Sequence, residues 1–456
     1  MNAARGVSGG LVWAFVCAGA LSIGASVVCA EQAPSDSLMN SFVRGLADST
    51  DAWYGATVAP LDTAGLDSAL AVGLARGPGA GSGRPRRTAG RLPLSPALGF
   101  NRVDGGQLGA NAGLTLPRGA RLSGRLQYTT GTHDYLGESR LQRSWRVPGL
   151  RARAEVEAAA GRSTEPFDRD HYDPTMATLA ALTAGSDRHF YLRRDGFRTG
   201  ANVVGKRAEG SIKWRLEHES ALPTTTDWTL FGGDPEVRGN GVAARGRTSE
   251  LGFSAIGTIP GTRFRAGGHY WTSDPRIGSD FTYRRLRLES GGDVSVGRHF
   301  ALVSQATYGR LRGQALPQDA VFLGGVHSVR TLERNELTGT GNLFARADLV
   351  LVDDLRELLH LPLPAWLPLQ SNGFVASGAL WGTSSDGTRA AITRRDLPRA
   401  EEWRSEAGVG LSWRPGIPDP LMMLRFEYAW PIGADGREPR FTLAFQRYLD
   451  LLPSER

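Results

Sequence analysis

Lysine, cysteine and long apolar runs are all scarce in this 456-residue chain, and each scarcity excludes something. Lys206 and Lys213 are the only lysines, so the 53 basic residues are otherwise arginine, a bias that arginine-favouring codon usage explains as readily as any function. Those arginines are spread over alternating runs instead of clustering with stacking aromatics, which argues against a nucleic-acid partner. Cys17 and Cys29 are the only cysteines and both lie in the first 30 residues, leaving no disulfide or thiolate chemistry beyond them. Past that stretch no apolar run is long enough for a membrane-spanning helix, and the mean hydropathy is −0.26. A Gly-x-Ser-x-Gly elbow, a phosphate loop and a paired-histidine zinc motif are all missing, so we expect no enzyme, no cofactor and no metal centre.

What the chain does have begins with an export signal. Residues 1–30 hold one charge, Arg5, then an apolar and small-residue run from Leu11 to Val28 and a small-residue cleavage site at Val28-Cys29-Ala30. Val28 is not small, which makes a lipoprotein reading of Cys29 the weaker one. Residues 31–92 carry one short helical stretch near Asp36 to Leu46 and a Gly, Pro and Arg linker from Gly77 to Arg87. That composition predicts a periplasmic segment and flexible linker, serving as a tail or a plug, rather than a folded module.

From residue 93 the texture changes to short runs of period-two alternation separated by Gly, Pro and Asp, the signal of strands. In the clearest run Met422, Leu424, Phe426, Tyr428 and Trp430 share one face, while Arg425 and Glu427 share the other. The runs are about ten residues long, the length of a tilted strand across a bilayer. Trp413, Tyr428, Trp430 and Tyr448 recur at run ends, as in an interfacial aromatic girdle. Connections alternate between tight turns, near 117–120, 147–149, 206–208, 259–261 and 297–299, and long polar loops, near 131–138, 163–190, 222–243, 273–280 and 314–341. Sixteen runs are counted, eleven between 93 and 313 and five at 342–353, 372–383, 404–415, 420–431 and 439–449. The expected fold is all-β: a sixteen-stranded antiparallel transmembrane β-barrel over 93–450, with a loop folded into the lumen, a short N-terminal periplasmic segment and a tail at 451–456. Closure removes the sheet edges that lipid would not tolerate.

The last third carries a resemblance. Phe322-Leu323-Gly324-Gly325-Val326-His327-Ser328-Val329-Arg330 is followed by Ala345-Arg346-Ala347-Asp348-Leu349-Val350-Leu351, Phe374-Val375-Ala376-Ser377-Gly378-Ala379-Leu380-Trp381 and Ser405-Glu406-Ala407-Gly408-Val409-Gly410-Leu411-Ser412-Trp413. Tyr428-Ala429-Trp430-Pro431 and a final strand with Phe441, Leu443, Phe445 and Tyr448 close the series. Together these resemble the barrel of the bacterial surface antigen superfamily, which includes outer-membrane assembly factors and two-partner secretion translocases. Phe100-Asn101-Arg102-Val103-Asp104-Gly105-Gly106 resembles the barrel start of less characterised members. The resemblance implies that Arg330, in the loop motif Gly324, Gly325, Ser328 and Val329, tethers the loop inside the barrel through Asp348 or a luminal glutamate such as Glu427. It also implies that the final strand is the signal read by the outer-membrane assembly machinery. Three departures stand out: Thr331 and Leu332 follow Arg330 where the family has glycine and an aromatic, Ala376 stands at a common aspartate position, and the polypeptide-transport-associated domains are missing.

Other chemistry is thin. Asp168, Asp170, His171 and Asp173 lack a full calcium-ligand spacing, and a solvated loop is the better reading. Alternation sends His218 to the lipid side and Glu217 and Glu219 inward, so they do not converge. Three function classes follow. The leading one is an outer-membrane scaffold, membrane-insertion aid or translocation conduit, with lipids and assembly machinery as partners and its client or solute undefined. The second is a porin-like passive channel, its ion preference set by Glu155, Glu157, Arg215, Glu217, Arg425 and Glu427. The third, an outer-membrane hydrolase, has no motif behind it.

Overall fold

The structure, a computed structural model, describes residues 93–147, 152–167, 177–178, 181–182, 187, 189–226, 240–241, 243–364, 369–382, 397–413, 422–433 and 436–447. The expected leader, linker and C-terminal tail therefore lie outside the described residues. Eleven strands come first: β1 Leu94–Asn101, β2 Gly105–Thr115, β3 Ala120–Thr129, β4 Tyr135–Val147, β5 Ala152–Pro166, β6 Tyr191–Val204, β7 Ala208–Ala221, β8 Gly246–Thr258, β9 Arg265–Ser273, β10 Tyr283–Val296 and β11 Phe300–Gly313. A small hairpin, β12 Val321–Leu323 and β13 Leu337–Gly339, interrupts the series. It resumes with β14 Gly341–Leu351, β15 Leu369–Trp381, β16 Trp403–Trp413, β17 Met422–Ile432 and β18 Arg440–Arg447.

All strands except the hairpin form one 16-stranded antiparallel sheet in sequence order, β11 pairing directly with β14. The expected strand number and the place of the long loop, with five strands behind it, both match this order. β1 and β18 are the two ends of the order. Pro96 sits on β1, opposite Ala110, where an edge strand tolerates the missing N–H.

Period-two alternation gives the sheet two unlike faces. Ile212, Phe253, Tyr270 and Leu286 stand in one cross-strand row over β7 to β10, and the first three are 37–45% exposed despite their apolar surface. Leu349, Val409, Leu411, Tyr428 and Trp430 continue that exposed apolar face on β14, β16 and β17. The other face buries its charges: Arg194, Arg215, Glu217, Glu219, Glu250, Arg346, Asp348, Glu406, Arg425 and Glu427 are all under 9% exposed. A soluble protein inverts this distribution, since buried charge must be paired and a large exposed apolar patch needs a covering.

One expected asymmetry stops short of the end. Tight connections alternate with long ones only from β5 to β11: before that 102–104 and 130–134 are as short as the tight turns, and after it β14 and β15 are joined by 352–368, which holds a helical turn, α1 Leu355–Leu358. Asp354 starts it, its carboxylate accepting from the N–H groups of Arg356 and Leu369 at 3.0 Å each.

Candidate functional site

The site is built where the loop 314–341 meets the charged face. Gly324 adopts φ 123°, where a side chain would collide with the Glu333 carbonyl, and its N–H donates to Ser328 Oγ at 3.1 Å. Gly325 N–H points to both the Val329 and Leu332 carbonyls at 3.2 Å, tightening the turn into a knot. Val329 and Leu332 then pack with Leu323 from the loop and with Phe344, Ala376 and Leu380 from β14 and β15. This apolar seat sends the backbone of residue 330 onto the charged face.

Arg330 is 2% exposed and forms an ion pair through Nε with Glu427 of β17. Its guanidinium lies 5.2 Å from the Phe374 ring, which carries Arg346 on it at 3.8 Å. Gly408 stands beside Phe374, where a Cβ would strike the ring, so its lack of a side chain makes room for that aromatic. Asp348 is not the partner of Arg330. It accepts two bonds from Arg346 at 2.6 Å, pairs with Arg425, and accepts from Asn372 at 3.1 Å. Arg346, two residues along the same strand face, reaches Asp348 first, and the bond to Arg330 passes to Glu427 instead. Glu427 also binds Arg346 and Arg425 at 2.6 Å, so three arginines converge on it.

Sequence reasoning missed Glu406. Its two oxygens accept the backbone N–H groups of Arg330 at 2.9 Å and Thr331 at 2.8 Å. The available signal was alternation on β16, which places Glu406 on the same face as Ala376 and Arg346.

A second attachment, also unforeseen, holds the other leg of the loop. Pro317–Asp319 forms a 3-10 turn whose Gln318 and Asp319 are buried. Gln318 Nε2 donates to Glu219 of β7 at 3.0 Å and to the Ala244 carbonyl at 3.1 Å. Asp319 lies 3.5 Å from Arg285 of β10 and 3.9 Å from Arg215 of β7. Burial pushes its carboxyl up to about 6, with Glu219 and Glu250 adding to that and Arg285 and Arg215 opposing it. The receiving wall is itself an ion network: Arg215 binds Glu250 at 2.9 Å and Glu219 at 3.0 Å, and Arg194 binds Glu219 at 3.0 Å.

The early motif at 100–106 also turns out buried. Val103 and Asp104, in the turn between β1 and β2, are fully covered. Asp104 accepts from Arg193 of β6 at 3.1 Å, Arg102 N–H donates to Asp187 at 3.1 Å, and Thr225 Oγ1 donates to the Val103 carbonyl at 2.8 Å. The turn is thereby clamped to the connections before β6 and after β7.

The remaining expectations fall as follows. His218 is exposed on the apolar side, and Glu217 and Glu219 are buried on the other, as alternation requires. Glu155 and Glu157 are half-buried on β5, where Gln142 donates to Glu155 at 2.7 Å. Phe441 and Leu443 stand on β18 opposite Tyr428 and Phe426. Phe445 is paired with Leu424 in backbone register, while Tyr448 and the acidic cluster at 168–173 lie outside the described residues.

No family model matches the chain. No curated protein matches it either. Among solved structures the fold is similar to BamA from Haemophilus ducreyi lacking POTRA domains 1-3, at 13% identity and a TM-score of 0.47, over 77% of this chain and 69% of that one. It is also similar to CdiB from Acinetobacter baumannii, at 12% identity and a TM-score of 0.38, over 78% of this chain and 58% of that one. CdiB from Escherichia coli gives 13%, 0.39, 78% and 62% for the same measures. The chain spans less than two thirds of both CdiB chains.

Proposed function

We propose that the chain is an integral outer-membrane β-barrel of the surface-antigen type, closed by its own loop, that serves as a scaffold, membrane-insertion aid or translocation conduit. The single observation behind this is the reach of the loop 314–341. Within it Gln318 bonds Glu219 on β7 and Arg330 pairs with Glu427 on β17, strands far apart in the sheet order. A loop tied to two distant strands on the charged face lies across the interior when the sheet closes on itself. The apolar outer face then meets lipid, and the buried ion pairs line an interior screened from it. In this reading Arg330 is the tether, Gly324, Gly325, Ser328 and Val329 shape its approach, and β18 is the strand presented to the assembly machinery.

Limited proteolysis of intact cells and of the purified protein tests it. The expected result is cleavage at the exposed residues 397–402, ahead of β16, with the loop 314–341 left uncut. Cleavage of 314–341 as fast as 397–402 would overturn the tethered reading.

A further inference from the structure

The apolar row that holds Ile212 continues across the ladders in both directions. It starts at Arg143 on β4, passes Val156 and Ala201 to Ile212, and runs on past Leu286 to Arg310 on β11. Between the two arginines every member is apolar or aromatic. Arg143 lies four residues from the short-turn end of β4, and Arg310 three residues from the loop end of β11. In a closed barrel, seven strand spacings of about 4.8 Å at a tilt of about 40° raise the row by about 22 Å. That is close to the apolar band of an outer-membrane barrel, about 25 Å, so the two arginines stand at its two borders.

The borders differ in how the charge is met. Arg310 is buried and donates to Thr340 Oγ1 at 3.3 Å. Arg143 is exposed, and among the described residues no carboxylate pairs with it. Its neighbours on the same face are Leu141 and Trp145 along β4 and Val156 across the ladder, all exposed. The turn Pro117–Gly119 packs beside β4 and brings the exposed Arg118 to this corner. On the opposite face Arg146 stands directly across from Arg153, while Glu155 is taken by Gln142. Like charges across a ladder repel, which leaves the corner electropositive.

A guanidinium on a lipid-facing surface calls for an anion at headgroup level, and its fork of donors matches a phosphate. Trp145 beside it suits the same level, the membrane–water interface. A zwitterionic headgroup would bring an ammonium into a corner that is already basic. We infer that Arg143, with Arg118 beside it, binds the phosphate of an anionic phospholipid in the leaflet at the short-turn end, the acyl chains lying on Leu141 and Val156. The inference rests on the lipid-facing reading of the exposed apolar face and is independent of the docking of the loop 314–341.

Native mass spectrometry of the full chain released from detergent, with phosphatidylglycerol or phosphatidylcholine added, tests it. Phosphatidylglycerol should be retained at least about tenfold more strongly, the scale of a hydrogen bond to a charged group, and excess inorganic phosphate should not displace it. Arg143→Gln should erase the preference, and Arg143→Lys, which keeps the charge, should preserve most of it. Arg284→Gln, at an exposed arginine on the same face near the loop end, should leave it unchanged. Equal retention of the two lipids, displacement by inorganic phosphate, or an equal loss in Arg284→Gln would overturn the site. The wild-type comparison decides even where a variant fails to fold. A water-like response of Ile212→Arg in vesicles would overturn the lipid-facing reading and the site together, whereas a lipid-like response with equal retention of both lipids would overturn the site alone.

Discussion

Ala376 on β15 stands directly across the ladder from Glu406 on β16, and between them they divide the apolar and polar halves of the loop's seat. Ala376 is packed with Val329, Leu323 and Phe344, while Glu406 binds the N–H groups of Arg330 and Thr331. A carboxylate at 376 would face apolar side chains. The acid sits one strand further on, where the loop backbone offers it two donors.

Glu406→Ala removes both acceptors and leaves two backbone N–H groups buried, each costing about 1–3 kcal/mol. The expected outcome is faster proteolysis of the loop 314–341 with the sheet still resistant to heat in detergent. Glu406→Gln, which keeps one acceptor oxygen, is expected to fall between.

Glu427→Ala is expected to cost more than Arg330→Ala. The first takes the carboxylate from Arg330 and one of two carboxylates from Arg346 and Arg425, which keep Asp348, whereas the second leaves Glu427 bound to Arg346 and Arg425. Breaking a buried pair costs about 3–5 kcal/mol. Denaturant midpoints of the two variants rank them, and Arg330→Ala with Glu427→Ala combined should lose less than the sum.

Loop docking should strengthen as the medium is acidified from pH 7 to pH 5. The Asp319 carboxyl is raised to about 6 in the docked loop, so the docked form binds the proton more tightly than the released one. Its contribution is present in full below the free carboxyl value near 4 and is lost as pH rises through 6. Protease protection of 314–341 should rise roughly tenfold over that interval, the size set by one such group. The groups facing Asp319 are Arg215, Arg285, Glu219, Glu250 and Tyr283, and Asp319→Asn should flatten the dependence.

Ile212→Arg distinguishes a lipid-facing sheet from a water-facing one. Ile212 is 45% exposed in an apolar row with Phe253 and Tyr270. In lipid the charge is expected to cost about 2–4 kcal/mol near the midplane. In water an exposed position changes stability by about 0.5 kcal/mol or less. Folding into vesicles over a urea series reads the difference.

The fold was legible because each run repeats one rule: an apolar side chain on one face of the sheet, a polar one on the other, then a turn. Sixteen repetitions fix strand number and parity even where single boundaries move by a few residues. The site was legible only in part. Arg330 stood out beside Gly324 and Gly325, and parity on β17 put Glu427 on the right face. Its choice of Glu427 over Asp348 was not readable, because Arg346 and Arg425 compete for the same acids and proximity across strands decides. Gln318 and Asp319 were hidden for a different reason. They lie in an aperiodic loop and meet β7 and β10 only through its folding back.

Conductance of the purified protein in planar bilayers tests the central claim most directly. A barrel crossed by a loop tied at Glu219 and Glu427 should be closed or flicker briefly, and Arg330→Ala with Glu427→Ala should lengthen the openings. A large, steady open conductance from the wild-type protein would contradict it.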